Sequence, residues 1–112
     1  MLAGRQTHVD AARMLMLRAA VKLAKGGDAM REVTQVKLFG SETFADVANQ
    51  GMQIMDGYSY MSEYDMQRHY RDARSTTIAA GTSQMQRNLI ANTMGLTVKQ
   101  GFITALSRQL IC

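Results

Sequence analysis

The sequence has no proline, no tryptophan, one cysteine and only 6% aromatic residues among its 112 positions. Without proline, nothing in the chain forbids long helices. The single cysteine, Cys112, excludes an intrachain disulfide and a cysteine-based metal site, so a cytoplasmic, reducing location is the simplest expectation. No apolar stretch reaches the length of a transmembrane helix, and the first ten residues lack the apolar segment of a signal peptide, so we expect no membrane association.

Runs of lysine or arginine are also missing, although the chain is mildly basic. It has 13 Lys and Arg against 9 Asp and Glu, a net charge of +4. Between Glu63 and Arg74 acidic and basic residues are mixed, which favours local ion pairs over a phosphate-binding surface. We therefore expect no nucleic-acid partner. The two histidines, His8 and His69, have no cluster of ligands at metal spacing, so we expect no metal site.

Apolar residues recur at helical spacing through most of the chain, and useful runs of period-two alternation are absent. The predicted fold class is therefore all-α, a helical bundle. A first helix from about residue 2 to residue 25 ends at Gly26 and Gly27. Asp28 is expected to cap a second helix that extends to Met55. Because the connection is short, these two helices should be antiparallel neighbours.

The second predicted helix is apolar on more than one face and contains Gly40 and Gly51. Each glycine costs a helix roughly 1 kcal/mol relative to alanine, so we expect the close approach of another backbone at both positions. A helix that is apolar on two faces lies at the centre of a bundle or is covered by a second chain.

The rest of the chain reads as a loop followed by shorter helices. Residues 56–60 are predicted to be a loop, and Ser62 and Asp65 to cap a charged helix. A further helix is expected from Thr82 to Met94. Residues 97–112 show the pattern of a last amphipathic helix. The predicted organisation is a bundle over residues 1–96 with a helical extension over residues 97–112.

The stretch from residue 71 to residue 87, RDARSTTIAAGTSQMQR, organises the chain. It indicates the end of one helix, a bend at Gly81 and a new helix in which Ser83 and Gln86 have the spacing of a capping box. A helix start presents unpaired N–H groups and the positive end of the dipole, which suits an anion or an electron-rich ring. The alternative is a helix start without a ligand, and the residues by themselves leave both interpretations open.

Five motifs in order resemble the C-terminal domain of the acyl-CoA dehydrogenases. They are AARMLMLRAA at 11–20, KLFGSE at 37–42, QIMDGYSY at 53–60, EYDMQRHYRDAR at 63–74 and GTSQMQR at 81–87. The resemblance covers residues 2–95 and implies a fragment of a longer enzyme. The family's N-terminal domain, its β-domain and the first helix of its C-terminal domain have no counterpart in these 112 residues.

The resemblance implies an FAD-dependent oxidoreductase that removes two hydrogens from the α,β bond of an acyl-CoA. Such enzymes are homo-oligomers that pass electrons to an electron-transfer flavoprotein. Matched motif by motif, the flavin contacts would be Gln53, Ile54, Met55, Asp56, Gly57, Thr82, Ser83, Gln84 and Met85. The first five would face the ADP part of an FAD held mainly by a neighbouring subunit. Gly81 would approach the acyl thioester.

The sequence departs from the family's pattern at three functional positions. Ala80 occupies the position of the usual catalytic Glu, so the chain supplies no base there. In this respect the chain resembles the isovaleryl and long-chain branches of the family, in which the catalytic Glu comes from an earlier helix and a small residue occupies this position. Asp56 and Ser59 replace glycines, and a carboxylate near a pyrophosphate is unfavourable. These departures leave open an alternative function: a standalone, non-catalytic helical module that self-associates or binds a protein partner.

Overall fold

A computed structural model of the chain describes residues 2–96. Helices make up 79% of it and no strand occurs in that range, so the all-α prediction is confirmed. The five helices are α1 (Leu2–Ala24), α2 (Met30–Met55), α3 (Gly57–Tyr60), α4 (Met66–Thr76) and α5 (Ser83–Thr93). The predicted helical extension over residues 97–112 lies outside the described residues.

The connection between α1 and α2 is tight, as the sequence predicts. Gly26 has a φ of 72°, a left-handed conformation that glycine adopts without strain. The Gly27 N–H donates to the Lys22 carbonyl at 3.1 Å and so closes the end of α1. The Met30 N–H donates to Asp28 Oδ1 at 3.0 Å, so Asp28 satisfies one of the unpaired donors of α2, although the N-cap position is Ala29 rather than Asp28.

Helix α2 is the centre of the bundle and packs against each of the other four helices. The apolar residues that the described part of the chain buries are all alanines, Ala19, Ala29, Ala48 and Ala73. Small side chains at these points let neighbouring helices approach closely. The arrangement places the end of α4 and the start of α5 on the same scaffold, which is α2.

Large apolar side chains lie mostly at the surface within residues 2–96. The exposed fraction is 51% for Met16, 56% for Leu23, 43% for Val33 and 39% for Phe44. These four periodic apolar positions of α1 and α2 are therefore not part of a core within residues 2–96. They leave apolar helix faces uncovered.

A buried ionic group joins α1 to α2 near their connection. The Lys22 Nζ atom donates to Glu32 Oε1 at 2.9 Å, and Arg18 Nη2 lies 3.7 Å from the same oxygen. Only 7% of the Glu32 side chain is exposed. The hydrogen bond from Lys22, followed by one from the backbone, lowers the pKa of the Glu32 carboxyl and outweighs the opposing effect of burial.

Four local expectations are wrong. No described atom lies within 4 Å of an added Cβ at Gly40, and the neighbour of Gly51 is the flexible Met66 side chain, so neither glycine marks a close backbone. Residues 57–60, expected in a loop, form the short helix α3, because the Ser59 N–H donates to the Asp56 carbonyl at 3.0 Å. Asp65 precedes α4 without a capping bond, because its carboxylate pairs with Arg68 at 3.2 Å.

Candidate functional site

The turn between α4 and α5 has an unusual backbone. Ala80 has a φ of 55° and Gly81 a φ of 95°, so two successive residues are left-handed. The Ser83 N–H donates to the Thr77 carbonyl at 3.1 Å and closes the turn. Alanine is strained in this conformation, which glycine adopts freely. The turn therefore keeps its shape only because the surrounding contacts hold it.

Helix α5 is capped one residue earlier than the sequence predicts. Thr82 is the N-cap, and its Oγ1 atom accepts from the Met85 N–H at 3.3 Å. Ser83, the expected cap, is the first helical residue and is buried. The predicted capping box of Ser83 and Gln86 is therefore wrong. Thr82 and Ser83 both carry a hydroxyl close to Gly81, and the sequence does not show which of the two caps the helix, because the direction of the backbone decides it.

Gln86 contacts the turn instead of completing a capping box. Its Nε2 atom donates to the Ala80 carbonyl at 3.2 Å, and its side chain is buried. A Cβ atom added at Gly81 would lie 2.7 Å from that Nε2 atom. Position 81 is thus restricted to glycine by its φ and by the space that Gln86 occupies.

A cleft of about 660 Å³ lies between α2, α4 and the first turn of α5. Helix α2 contributes Glu42, Ala45, Asp46 and Asn49, and α4 with the following turn contributes Tyr70, Arg74, Thr77 and Ile78. The start of α5 contributes Thr82, Ser83, Gln84 and Arg87. The N-terminal end of α5 therefore opens into a polar cleft.

The charges of the cleft are partly neutralised by ion pairs. Glu42 accepts from Arg87 at 2.6 Å, and Asp46 pairs with Arg5 of α1. Arg74 forms no ion pair with any residue between positions 2 and 96. One guanidinium and the positive end of the α5 dipole thus face the cleft without a matching carboxylate, an arrangement that attracts an anion.

The sequence-predicted cofactor residues fall into two places. Thr82, Ser83 and Gln84 line the cleft, and Met85 and Gly81 flank them. The other five, all exposed, are the last residues of α2 (Gln53, Ile54 and Met55), its C-cap (Asp56) and the first residue of α3 (Gly57). None of these five lines the cleft. The chain therefore offers two separate surfaces to ligands.

Asp56 connects α2 to α3 with a φ of 49° and a ψ of −137°, a conformation that strongly favours glycine. Ser59 stabilises this junction, because its buried Oγ atom lies 2.8 Å from the Met52 carbonyl and 2.6 Å from the Asp56 carbonyl. The serine that replaces a glycine of the family's motif thus has a local structural role. The Asp56 side chain has no comparable contact within the described ranges.

Sequence reasoning gave no role to several residues of the cleft. Arg74 and Glu42 belong to quoted motifs, yet only the packing of α2 against α4 and α5 brings them together. The residues present fit a cofactor with an anionic group and a flat ring, since the cleft combines helix N–H donors, Arg74 and the Tyr70 ring.

Other site classes find no support in the part of the chain that the structure covers. No cluster of three His, Cys, Asp or Glu side chains is placed to hold a metal ion between residues 2 and 96. Over the same range, every helix is too short or too polar to cross a membrane.

Comparison with known proteins gives a family match over most of the chain. The sequence profile described as "Acyl-CoA dehydrogenase, C-terminal domain" matches residues 1–95. A 3-(aryl)acrylate reductase from Clostridium sporogenes is 37% identical over 93 residues, which is 83% of this chain and 25% of that protein.

Solved structures give the same result. Butyryl-CoA dehydrogenase from Megasphaera elsdenii superposes with a TM-score of 0.80 at 32% identity, over 83% of this chain and 24% of that one. The FAD complex of PigA superposes with a TM-score of 0.79 at 26% identity, over 84% and 26% of the two chains. The chain spans about a quarter of the length of each of these proteins.

Proposed function

Because the chain belongs to the acyl-CoA dehydrogenase family and matches its C-terminal domain, we propose that it forms one wall of an FAD site in a longer oxidoreductase acting on acyl-CoA thioesters. FAD is the cofactor of this family. When bound, it would supply the hydride-transfer chemistry, and the protein would supply binding, orientation and electrostatics. The observation that carries the proposal is Arg74, which lacks an acidic partner within residues 2–96 and faces the cleft at the start of α5.

The proposed contacts follow the two surfaces of the chain. At the cleft, Thr82, Ser83, Gln84 and Met85 lie against the flavin, where the α5 N-terminus favours electron-rich groups. At the end of α2, Gln53 and the four residues after it face the ADP part of an FAD held by a neighbouring subunit. This division is supported by the cleft lining, which includes Thr82, Ser83 and Gln84 but none of the five residues at the end of α2.

The catalytic base of the proposed enzyme lies outside this chain. Ala80 is exposed beside Gly81, where the thioester would approach, and its methyl group cannot accept a proton. The direction of hydride transfer and the acyl group belong to the whole enzyme, because one relative is named a dehydrogenase and another a reductase. We propose an electron-transfer flavoprotein as its electron partner and the cytoplasm, which suits a lone cysteine, as its location.

The uncovered apolar faces support self-association. Met16 and Leu23 on α1 and Val33 and Phe44 on α2 are exposed, and water-exposed apolar faces of this extent are normally covered by another protein surface. We therefore propose that the longer enzyme is a homo-oligomer, and that residues 97–112 extend the bundle of residues 1–96 as a covering helix. Deletion of residues 97–112 would then lower stability or change the oligomeric state, whereas no change in either would refute that part.

The experiment is a flavin titration of the native gene product after its intact mass has been measured. A product several times larger than 12.4 kDa should carry FAD that an acyl-CoA bleaches. Arg74→Met should weaken FAD binding about tenfold or more, because a hydrogen bond to a charged group is lost. Arg13→Met, at an exposed position of α1, is the matched control and should bind FAD normally. Unchanged affinity in Arg74→Met would refute the role of the cleft.

A second candidate function is a standalone, non-catalytic module that self-associates or binds a protein partner. The exposed faces of α1 and α2, together with alanine at position 80, favour it. A flavin-free native product of 12.4 kDa would support this function and refute the enzyme.

A further inference from the structure

Lys37 of α2 reaches both ends of the turn that joins α4 to α5. Its Nζ atom donates to the Thr76 carbonyl at 2.6 Å and lies 3.4 Å from the Gly81 carbonyl. Thr76 is the last residue of α4, where the helix dipole is negative and favours a cation. The Lys37 ammonium group therefore connects Thr76, at the end of α4, to Gly81, the residue before the N-cap of α5.

The surroundings of Lys37 strengthen its bond to the Thr76 carbonyl. The side chain is half-buried and lies beside an apolar groove with Val36, Gly40, Ala79 and Ala80. The bond to the Thr76 carbonyl is part-buried and is therefore stronger than it would be at an open surface, whereas the contact with the Gly81 carbonyl is exposed.

Gln86 contacts the same turn from the side of α5. It donates to the Ala80 carbonyl at 3.2 Å, between the two carbonyls that Lys37 contacts. Ala80 and Gly81 are both left-handed, and alanine does not hold this conformation unaided. The carbonyl groups of residues 76, 80 and 81 are thus all oriented by side chains from α2 and α5.

We propose that Lys37 is a positioning residue that fixes the turn carrying Gly81. The proposal rests on the proposed function in one respect, that Gly81 faces the acyl thioester. Lys37 does not touch the substrate; it acts by directing the carbonyls of Thr76 and Gly81 toward α2, which sets the direction of the peptide groups between them. A displacement of this turn by about 1 Å is enough to reduce the rate of a reaction at it.

The first test is amide hydrogen exchange in the 112-residue chain, read at the Ser83 N–H that closes the turn. Lys37→Met keeps the aliphatic stem and removes the ammonium, and should speed exchange at Ser83 about tenfold or more. Lys37→Arg restores a charged donor and should return exchange close to the wild-type rate. Lys25→Met, at an exposed position after α1, should have no effect at Ser83.

Three results would overturn the proposal. They are unchanged exchange at Ser83 in Lys37→Met, equally faster exchange in α1 and α5, or no rescue by Lys37→Arg. Equal acceleration everywhere would mean that Lys37 only adds to global stability. If Lys37→Met does not fold, the wild-type chain still decides: the Lys37 ammonium should give a slowly exchanging 15N signal that Lys25 does not, and its absence would overturn the proposal.

The second test uses the flavin-loaded longer enzyme. Lys37→Met should lower kcat about tenfold with little change in KM, since the turn is misplaced in the transition state while binding surfaces remain. An unchanged kcat would overturn the positioning role. If the native product binds no FAD, the proposed function fails, but the exchange experiment still decides whether Lys37 braces the turn.

Discussion

Arg87 Nη2 lies 2.6 Å from Glu42 Oε1, and this ion pair ties α5 to α2 beside the cleft. The side chains are 54% and 42% exposed, so water screens the pair. We predict that Arg87→Met and Glu42→Gln each lower the free energy of unfolding by about 1 kcal/mol or less. A double-mutant cycle by urea denaturation should give a coupling energy below about 1 kcal/mol. A coupling well above that value would mean that the pair is desolvated in solution.

The Glu32 carboxylate should make the stability of the fold depend on pH. Its pKa is lowered, first by the hydrogen bond from Lys22, so the folded state favours the ionised form. That stabilisation is complete above the pKa of an unfolded-chain glutamate, about 4.3, and is lost as the pH falls through the lowered value. Glu32→Gln should therefore reduce Tm at pH 7, and its Tm deficit relative to the wild type should be smaller at pH 3. Asp65→Asn, at an exposed position, is the control, and an equal Tm deficit of Glu32→Gln at both pH values would contradict the prediction.

The backbone at Asp56 should be relieved by glycine. Asp56→Gly removes the strain of a φ of 49° with a ψ of −137°. Glycine also increases the entropy of the unfolded chain, which offsets part of this gain. The net rise in the free energy of unfolding should be about 1 kcal/mol. The corresponding rise in Tm is about 4–8 °C for a chain of this size. Asp56→Ala keeps the strain and should show no gain. Equal Tm values for the two variants would contradict this account.

The two glycines within α2 should respond differently to alanine. Gly40→Ala meets no described atom within 4 Å and should stabilise the helix by about 0.5–1 kcal/mol. Gly51→Ala would place a Cβ 2.8 Å from the Met66 Cε atom, so the gain in helix propensity is offset by displacement of that side chain. Denaturant titration should therefore rank Gly40→Ala above Gly51→Ala. The reverse order would show that another surface covers Gly40 in solution.

The 112-residue chain should not turn over acyl-CoA. It carries alanine at position 80 and forms only one side of the proposed flavin site, so neither a base nor a closed pocket is present at Gly81. The assay is dye reduction with added FAD and butyryl-CoA, with an intact butyryl-CoA dehydrogenase as positive control. Dye reduction that depends on both the chain and the thioester would refute the prediction.

Much of the fold could be predicted because its strongest signals are local. Gly26, Gly27 and Asp28 end α1 and begin α2 by their own backbone preferences and side-chain reach. The helix caps that were predicted wrongly depend on side-chain rotamers and backbone direction, which cannot be read from the sequence. Thr82 rather than Ser83 caps α5, and Asp65 pairs with Arg68 rather than with the backbone, because rotamers and chain direction decide between near-equal partners.

The site was less predictable than the fold for a physical reason. The stretch at residues 81–85 could be identified because a glycine and two hydroxyls indicate a helix start. The Arg74 guanidinium, the Glu42–Arg87 pair and the contacts of Lys37 depend on three helices meeting, and the residues involved are about 30 to 45 positions apart in sequence. No periodicity within one helix carries that information.

The alanine core has a consequence for the fate of the chain in a cell. Alanine is the only apolar residue type fully buried within residues 2–96, and many larger apolar side chains there are exposed, so folding of this range alone leaves apolar surface in water. The folded fraction then rises with the concentration of whatever covers α1 and α2. Copies made in excess of that covering surface are held by chaperones or degraded. The amount of the protein that persists is therefore set by assembly rather than by synthesis.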